Sequence, residues 1–217
     1  YRRSSYGGLH PLAIPRVSTA IDLARALGWL PDERYRTVEA ATPEALERFH
    51  APDYVAALRQ AELDQDLPAE LKERYRIGRD GNPIFPEVFR RPATACGASL
   101  TAAALVAEGG QVFSPAGGTH HGRRDRASGF CYLNDPVLAI LALLDQGVAP
   151  VLYLDIDAHH GDGVQEAFAG EARVWTVSLH EAGRWPHRPD ALPGSLRDRG
   201  GGQARNLPLP AGFPDGE

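Results

Sequence analysis

Residues 151–163 read VLYLDIDAHHGDG, and this stretch decides how the rest of the chain is interpreted. Its apolar run ends in three aspartates and two histidines within eight positions: Asp155, Asp157, His159, His160 and Asp162. Titratable groups are costly to gather near an apolar core unless something binds them together. The continuous apolar run predicts a buried strand over 150–157, with the titratable cluster at its carboxyl end.

Strand geometry indicates what this cluster could bind. Residues two apart on a strand point the same way, so Asp155, Asp157 and His159 share a face if the strand geometry persists. One imidazole with one or two carboxylates forms half of a Zn²⁺, Fe²⁺ or Mn²⁺ site. The alternative for this stretch alone is a strand end with salt-bridged and capping aspartates.

The order of predicted elements indicates an α/β protein. Periodicity and capping signals predict helices over 14–30, 52–63, 93–110 and 134–147, a short helix after a Thr42 cap, and a helix beginning at GDGVQEAF. Strands are predicted over 111–114, 150–157 and 173–180, and a long loop over 64–92. This alternation predicts parallel βαβ units and a three-layer α/β/α fold with a mostly parallel sheet. Functional residues of such sheets collect beyond the carboxyl ends of strands.

A second polar cluster lies in GGTHHGRRDRASGFCYLND, residues 117–135. Here His120 and His121 are adjacent on a glycine-rich loop, and an exposed polar loop is the alternative interpretation. As functional groups they would flank a metal site, each needing a carboxylate partner to set its charge and tautomer. Asp155 and Asp162 are available for that role. Metal-bound water with histidine bases is a hydrolase arrangement.

Composition excludes several classes of partner. The 217 residues carry a net charge of −5 and contain no basic run, so neither nucleic acid nor a membrane surface is an expected partner. No apolar run is long enough to span a bilayer. The two cysteines, Cys96 and Cys131, have no metal-like spacing, which favours a reducing, cytoplasmic location. The oligomeric state is left open.

Taken together, the two polar clusters and the strand after them resemble the zinc-dependent histone deacetylase family, which has the arginase/deacetylase fold. The resemblance extends from HPLAIPR (10–16) to NLPLPAG (206–212). It is most specific in GGTHHGRRDRASGFCYLNDPVLAI, VLYLDIDAHHGDGVQEAF and VWTVSLH. The stretch YRIGRDGNPIF (75–85) is closer to the bacterial, class-I-like or acetoin-utilization-type branch than to acetylpolyamine amidohydrolases.

The resemblance implies roles for the residues that match the family's motifs. Two of three zinc ligands would be Asp157 and His159, with Fe²⁺ as the alternative metal. The tandem histidines, His120 and His121, would activate water and protonate the leaving amine. The carboxylates behind the first and the second histidine would be Asp155 and Asp162.

Further residues take supporting roles by the same resemblance. The tunnel for the acyl-lysine stem would be walled by Gly129 and Phe130 and opposed by Trp185. Arg16 would line the cavity where acetate leaves. The family's rim aspartate, which holds the substrate backbone, aligns with Gly81, and Asp80 beside it would take that role. A structural K⁺ or Na⁺ would bind Asp155, Asp157, His159, Ser178 and Leu179, and a second such site would include Phe168 and Val174.

The implied activity is hydrolytic removal of acetyl groups from acetyl-lysine by metal-activated water, with an acetylated protein or a small acetyl-amine as substrate. One alternative is an acetylpolyamine or other small-amide deacylase, and another is a non-catalytic scaffold of the same fold. An arginase-like binuclear site is disfavoured because Gly161 stands where the second-metal aspartate belongs.

The family's pattern also predicts that the chain is incomplete. No methionine is present, and neither the third zinc ligand nor the oxyanion-stabilising tyrosine has a matching motif. Asp190, Asp198 and Asp215 lie in loops with other surroundings. We therefore expect a single deacetylase domain over 1–217 that is truncated at both ends and lacks its C-terminal part. The fragment is expected to be inactive and its full-length parent to be the enzyme.

Overall fold

Helices make up the first part of the chain, and a parallel sheet makes up the second. The computed structural model describes residues 13–185 and 193–213. The chain divides into two compact units, Tyr1–Ala139 and Ile140–Glu217, which are described one at a time below. Within the described residues, no helix is both long and apolar enough to cross a membrane.

The helices follow the predicted capping signals closely. Their bounds are α1 Arg16–Ala26, α2 Pro43–Leu46, α3 Pro52–Asp64, α4 Ala69–Tyr75, α5 Arg90–Ala107, α6 Asp135–Asp145 and α7 Asp162–Ala167, with a short 3₁₀ turn at Asp32–Arg34. The Thr42 hydroxyl accepts a hydrogen bond from the Ala45 N–H at 3.3 Å, which caps α2 as predicted. The Asn134 side-chain oxygen accepts one from the Val137 N–H at 3.1 Å, which caps α6.

The first unit has one apolar core. Tyr54 and Leu58 of α3 are fully buried in it, together with Ile77 and Leu133 from the segments that follow α4 and precede α6. The Tyr54 ring packs 5.6 Å from the Tyr75 ring, centroid to centroid. This core fixes the loops on either side of α5, which carry several of the predicted site residues.

The sheet of the second unit is parallel, as predicted. Its strands are β1 Val151–Asp155, β2 Val174–Glu181 and β3 Ala204–Leu209, in the order β1-β2-β3, and α7 connects β1 to β2. The register pairs Asp155 with Ser178. Two residues predicted to share a cation site therefore lie side by side on neighbouring strands.

Three sequence predictions about elements are wrong. Residues 64–92 are not one long loop, because AELKERY consists largely of strong helix formers and folds as α4. Residues 111–114 form no strand, since none of the described strands pairs with them and Phe113 is 82% exposed. A strand needs a partner for its backbone N–H and C=O groups.

The third error concerns β1, which the continuous apolar run predicted to be buried. Leu152 and Leu154 are 66% and 58% exposed, whereas Asp155 is buried. The described sheet places β1 at its edge, with β2 as its only neighbouring strand. Apolar character along a strand thus does not by itself determine which faces of the strand are covered.

A buried histidine makes the stability of the first unit depend on pH. Burial lowers the pKa of His50 from 6.5 to about 4, and hydrogen bonding to the backbone of Arg124 and Arg123 offsets only part of this effect. Because the folded pKa lies below the unfolded one, the stabilisation by neutral His50 is complete above pH 6.5 and is lost as the pH falls toward 4.

We therefore expect acid to weaken the wild type more than a His50→Gln variant. Between pH 7 and 4.5 the wild type should lose about 2 to 3 kcal/mol more of its free energy of unfolding than the variant. Urea denaturation at the two pH values measures this difference. An equal loss in both proteins would show that His50 does not titrate in this way.

Candidate active site

The carboxyl end of β1 is tied into a tight turn by Asp155. Its Oδ1 atom accepts a hydrogen bond from the Asp157 N–H at 3.0 Å, and its Oδ2 atom accepts one from the Tyr153 hydroxyl at 2.7 Å. The side chain is buried. A buried carboxylate that holds the backbone two residues ahead fixes the direction in which Asp157 leaves the strand.

The predicted metal ligands lie against each other just beyond this turn. Asp157 Oδ1 is 2.8 Å from His159 Nδ1 and also accepts the His159 backbone N–H at 2.7 Å. Both side chains are partly exposed, at 52% and 36%. The carboxylate oxygen and the imidazole nitrogen contact each other directly, and these two ligand types are ones that zinc commonly binds.

The pair does not make a complete metal site by itself. Over residues 13–185 and 193–213, no three His, Cys, Asp or Glu side chains are grouped so that they could hold an ion. Asp157 and His159 therefore fit two positions of a coordination sphere. The predicted opposing aromatic, Trp185, lies close by, with its ring 6.2 Å from the His159 ring, centroid to centroid, at 73°.

Gly161 leaves room for the Asp155 carboxylate. A Cβ atom added at Gly161 would overlap Asp155 Oδ2. Asp162, the first residue of α7, is buried, and its Oδ1 atom accepts the Gly163 N–H at 2.8 Å. Any side chain at position 161 must therefore displace the carboxylate that shapes the turn into Asp157.

A Gly161→Ala substitution is expected to lower the free energy of unfolding by about 1 to 3 kcal/mol, the usual cost of overpacking a tight contact. The backbone at Gly161, with φ −72°, suits alanine, so the loss comes from the overlap with Asp155. Urea denaturation measures it. The comparison is made with the wild type, because Gly170→Ala would be strained at its φ of +79° and Ala167→Gly would weaken α7 for a separate reason. Unchanged stability in Gly161→Ala would show that Asp155 moves freely.

His160 belongs to a different group of side chains from its neighbour His159. Its Nε2 atom is 3.1 Å from Gln165 Oε1, and its ring packs 4.8 Å from the His180 ring, centroid to centroid. Gln165 donates to Asp198 at 2.7 Å and accepts from Asn206 at 2.8 Å. The sequence pattern groups His160 with the metal cluster, whereas the structure places it in this internal polar network.

The same network orients Ser178. His180 Nε2 lies 3.0 Å from the carbonyl oxygen of Gly194, which can only accept, so Nε2 carries the proton. His180 Nδ1 is then an acceptor, and the Ser178 hydroxyl donates a hydrogen bond to it at 2.9 Å. Burial lowers the pKa of His180, which agrees with a neutral ring.

The remaining predicted cation-binding residues lie in the same unit. Leu179 follows Ser178 in β2. Phe168 directly follows α7 as its C-cap and Val174 begins β2, and both are buried. The Phe168 carbonyl accepts the Glu171 N–H at 3.0 Å, and the Glu171 carbonyl accepts the Val174 N–H at 3.2 Å. Cation binding at either place stays a prediction.

Three aspartates lie in loops that do not match the family's third-ligand motif. Two of them, Asp190 and Asp215, lie outside the described residues. Residues 10–12 of the matching stretch do so as well. Asp198 is described, and its carboxylate accepts the N–H groups of Gly194 and Gly200, each at 2.9 Å. It therefore holds a loop.

In the first unit the tandem histidines form a packed pair. The ring centroids of His120 and His121 are 3.9 Å apart, and both side chains are buried. Their loop turns sharply, since the His120 N–H donates to the Gly118 carbonyl at 2.9 Å and Gly118 has a φ of +93°. Two imidazoles in a rigid, buried loop suit directed proton transfer.

The predicted tunnel wall is held in a strained conformation. Phe130 has a φ of +66°, a left-handed conformation that is uncommon for a bulky residue, and Gly129 before it has +54°. The Phe130 N–H donates to Asn82 Oδ1 at 2.9 Å. A Cβ at Gly81 would come within 2.7 Å of the Phe130 ring. Asn82, for which the sequence carries no local signal, thus holds the aromatic wall in place.

The other two predicted substrate residues lie at exposed positions. Asp80 also has a left-handed backbone, with φ +50°, and its carboxylate lies 3.0 Å from the Arg76 guanidinium. The structure brings Gly81, the residue after Asp80, close to the Phe130 ring, although the two lie far apart along the chain. Arg16 is the first residue of α1 and is exposed.

A parallel βαβ sheet with Asp157 and His159 at its carboxyl end, together with a buried pair of histidines on a glycine-rich loop, defines the arginase/deacetylase-like class of α/β proteins. A family model described as histone deacetylase domain matches residues 10–217. The chain belongs to the histone deacetylase family.

Individual relatives agree with this assignment. The chain is 37% identical over 210 residues to the acetoin utilization protein AcuC of Bacillus subtilis (strain 168), covering 93% of this chain and 53% of AcuC. It is 40% identical over 219 residues to histone deacetylase 1 of Oryza sativa subsp. japonica, covering 97% and 40%. The chain thus spans about half the length of these curated relatives.

A solved structure supports the fold in the same way. The crystal structure of a histone deacetylase homologue from Aquifex aeolicus matches with a TM-score of 0.86 at 37% identity, covering 96% of this chain and 56% of that one. A histone deacetylase homologue solved in complex with SAHA gives a TM-score of 0.87. The predicted family and fold class are confirmed.

Proposed function

We propose that the protein containing this chain is a zinc-dependent amide hydrolase that removes acetyl groups from acetyl-lysine. The observation that carries the proposal is the approach of Asp157 Oδ1 to His159 Nδ1, at 2.8 Å, where β1 ends. Family membership supplies the reaction class, and this donor pair supplies its metal-binding residues. Fe²⁺ is the alternative metal, and a K⁺ or Na⁺ ion near Asp155 and Ser178 would have a structural role.

Several side chains of the chain would then have separate roles in the hydrolysis. Bound zinc supplies Lewis-acid activation of the acetyl carbonyl and of water. His121, assisted by His120, takes a proton from the attacking water and returns one to the leaving amine. In the family pattern, Asp155 and Asp162 are the carboxylates that would set the orientation and charge of these imidazoles. Acetate and a free amine are the products.

The predicted tunnel supports a long, uncharged acyl-lysine stem as the group recognised. Phe130 is held in place by Asn82 and presents a rigid aromatic wall, and Trp185 lies beside His159. Apolar walls favour a methylene stem with a neutral acyl head over a charged free amine. The location that we propose is cytoplasmic, which agrees with the two buried, unbridged cysteines, Cys96 and Cys131.

One observation favours a second candidate, a small acetyl-amine such as an acetylpolyamine. In the family pattern a rim aspartate holds the backbone of a peptide substrate. Here the Asp80 carboxylate is 3.0 Å from Arg76 and also lies next to a glycine at the aligned position. A carboxylate already paired with a cation is less available to bind peptide N–H groups.

A substrate comparison tests the proposal. The natural protein containing this chain is loaded with zinc and given an acetyl-lysine peptide or an acetylated polyamine, and kcat/KM is measured for each. A higher value for the peptide supports the first candidate, and a higher value for the polyamine supports the second. Stoichiometric zinc binding without hydrolysis of either substrate would contradict both, and absence of metal would favour the non-catalytic scaffold.

A further inference from the structure

The start of α6 holds the tandem-histidine loop through a buried carboxylate. Asp135 Oδ1 accepts the Thr119 N–H at 2.8 Å and the Thr119 hydroxyl. Its Oδ2 atom accepts the Gly118 N–H at 3.2 Å and the Ser99 hydroxyl at 2.6 Å. Each carboxylate oxygen therefore takes one backbone N–H and one hydroxyl. The two backbone N–H groups immediately before His120, those of Gly118 and Thr119, are thus both hydrogen-bonded to Asp135.

The neighbouring residue holds the other side of the same loop. The side-chain amide of Asn134 donates to the His120 carbonyl at 3.2 Å and to the Gly122 carbonyl at 2.9 Å. Asn134 is fully buried, and its own N–H donates to His50 Nε2 at 3.0 Å. The carbonyls on either side of His121 are thus bound by one planar amide.

Glycines in the loop make this close approach feasible. A Cβ at Gly117 would overlap Asp135 Oδ2, and one at Gly122 would come within 2.9 Å of the Leu133 carbonyl carbon. The backbone of the loop therefore lies directly against the chain that leads into α6. Only residues without a side chain fit at these two positions without a shift.

Capping of α6 does not account for the whole arrangement. A cap needs one side-chain acceptor, and Asn134 Oδ1 provides it by accepting the Val137 N–H. The two amide N–H groups of Asn134 are not needed for a cap, and neither are the contacts of Asp135 with Gly118 and Thr119. Serine would cap equally well but has no pair of donors for the loop.

We infer that Asn134 and Asp135 are positioning residues for the proton-transfer histidines. Asp135 binds the N–H groups before His120, and Asn134 binds the carbonyls that flank His121, so both ends of the histidine pair are fixed to α6. This inference rests on the proposed function, because it assigns proton transfer to His120 and His121. Small displacements of such groups are costly, since a misplacement of about 1 Å lowers a rate by about 100-fold.

Two substitutions test positioning while capping or side-chain shape is kept. Asn134→Ser keeps a cap acceptor and removes both donors to the loop. Asp135→Asn keeps the shape of the side chain but replaces one acceptor oxygen by an NH₂ group. In either orientation of the amide, this NH₂ group faces a backbone N–H, that of Gly118 or that of Thr119, and cannot accept its hydrogen bond. Ser99→Ala is the matched control, because it removes one hydroxyl donor and leaves both backbone N–H groups bound to Asp135.

The experiment uses the natural, zinc-loaded protein containing this chain and an acetyl-lysine peptide. Asn134→Ser and Asp135→Asn are expected to lower kcat by at least about tenfold, with KM changed less than about threefold and zinc content unchanged. Ser99→Ala should stay within about twofold of the wild type. A purely structural role would lower the melting temperature but not the kcat of each folded, zinc-loaded molecule.

A spectroscopic measurement distinguishes failure of this inference from failure of the proposed function. If the wild type hydrolyses no acetyl-amide, the proposed function fails, and ¹⁵N NMR signals of the His120 and His121 rings then report on the loop. Shifted ring signals in Asn134→Ser and Asp135→Asn, with unshifted signals in Ser99→Ala, would support the positioning role. Unshifted signals in both variants, a kcat within twofold of the wild type in both, or failure of both to fold would overturn it.

Discussion

The Asp157→Ala variant is expected to bind zinc at least about 100-fold more weakly than the wild type and to hydrolyse no acetyl-lysine. Two effects combine in this variant. The substitution removes one proposed ligand, and it also removes the carboxylate oxygen that holds the His159 N–H at 2.7 Å and its ring at 2.8 Å. The second proposed ligand therefore loses its orientation as well.

Zinc content after gel filtration and acetate release from an acetyl-lysine peptide measure the two losses separately. Asp145→Ala is the matched control, since Asp145 is an exposed aspartate at the end of α6. That variant should keep both zinc and activity. An Asp157→Ala protein with full zinc content would show that the metal, if present, is held by other residues.

The His121→Ala variant is expected to retain zinc while its kcat falls by about 10²- to 10⁴-fold, the usual contribution of a general acid–base group. The imidazole is buried 3.9 Å from that of His120 and is not a proposed ligand. Its loss should therefore remove proton transfer and leave metal binding unchanged.

Steady-state kinetics with the zinc-loaded variant measure this effect, and His120→Ala tells how the two imidazoles share the proton transfers. The larger loss is expected from His121, because the proposal makes it the principal base. A His121→Ala protein whose kcat stays within tenfold of the wild type would remove it from the chemistry. Loss of zinc in the variant would instead make it a ligand.

Much of the fold is predictable from the sequence because its signals are local. The cap at Thr42, the asparagine before α6 and the glycine after it mark helix ends within a few residues. The two strands that were predicted correctly, β1 and β2, are continuous β-branched and apolar runs. Turns and helix caps depend on residues that are neighbours in the sequence, so they can be recognised from one amino-acid sequence alone.

Apart from α4, whose run of helix formers is a local signal, the errors arise where structure depends on distant residues. β3 contains Pro208, which argues against a strand, yet at the edge of the sheet the missing N–H is tolerated. The segment 111–114 has strand-like composition but no partner among the described strands. Pairing is decided by residues far away along the chain, and a local pattern carries no information about it.

The candidate site, too, is only partly predictable from the sequence. The spacing of Asp157 and His159 and the adjacency of the two histidines are visible in the sequence, and the family resemblance supplies their roles. The residues that hold them are not visible, because Asn82 reaches Phe130 across 48 positions and Asp135 reaches Thr119 across 16. Only the folded chain shows which polar side chains converge on the functional loops.

The most direct test of the central claim is removal and return of the metal. Acetate release from an acetyl-lysine peptide is measured with the natural protein as purified, after chelation, and after zinc is restored. We predict that chelation abolishes hydrolysis and that about one zinc ion per chain restores it. Hydrolysis that continues at the same rate in the metal-free protein would contradict the assignment of a zinc-dependent deacetylase.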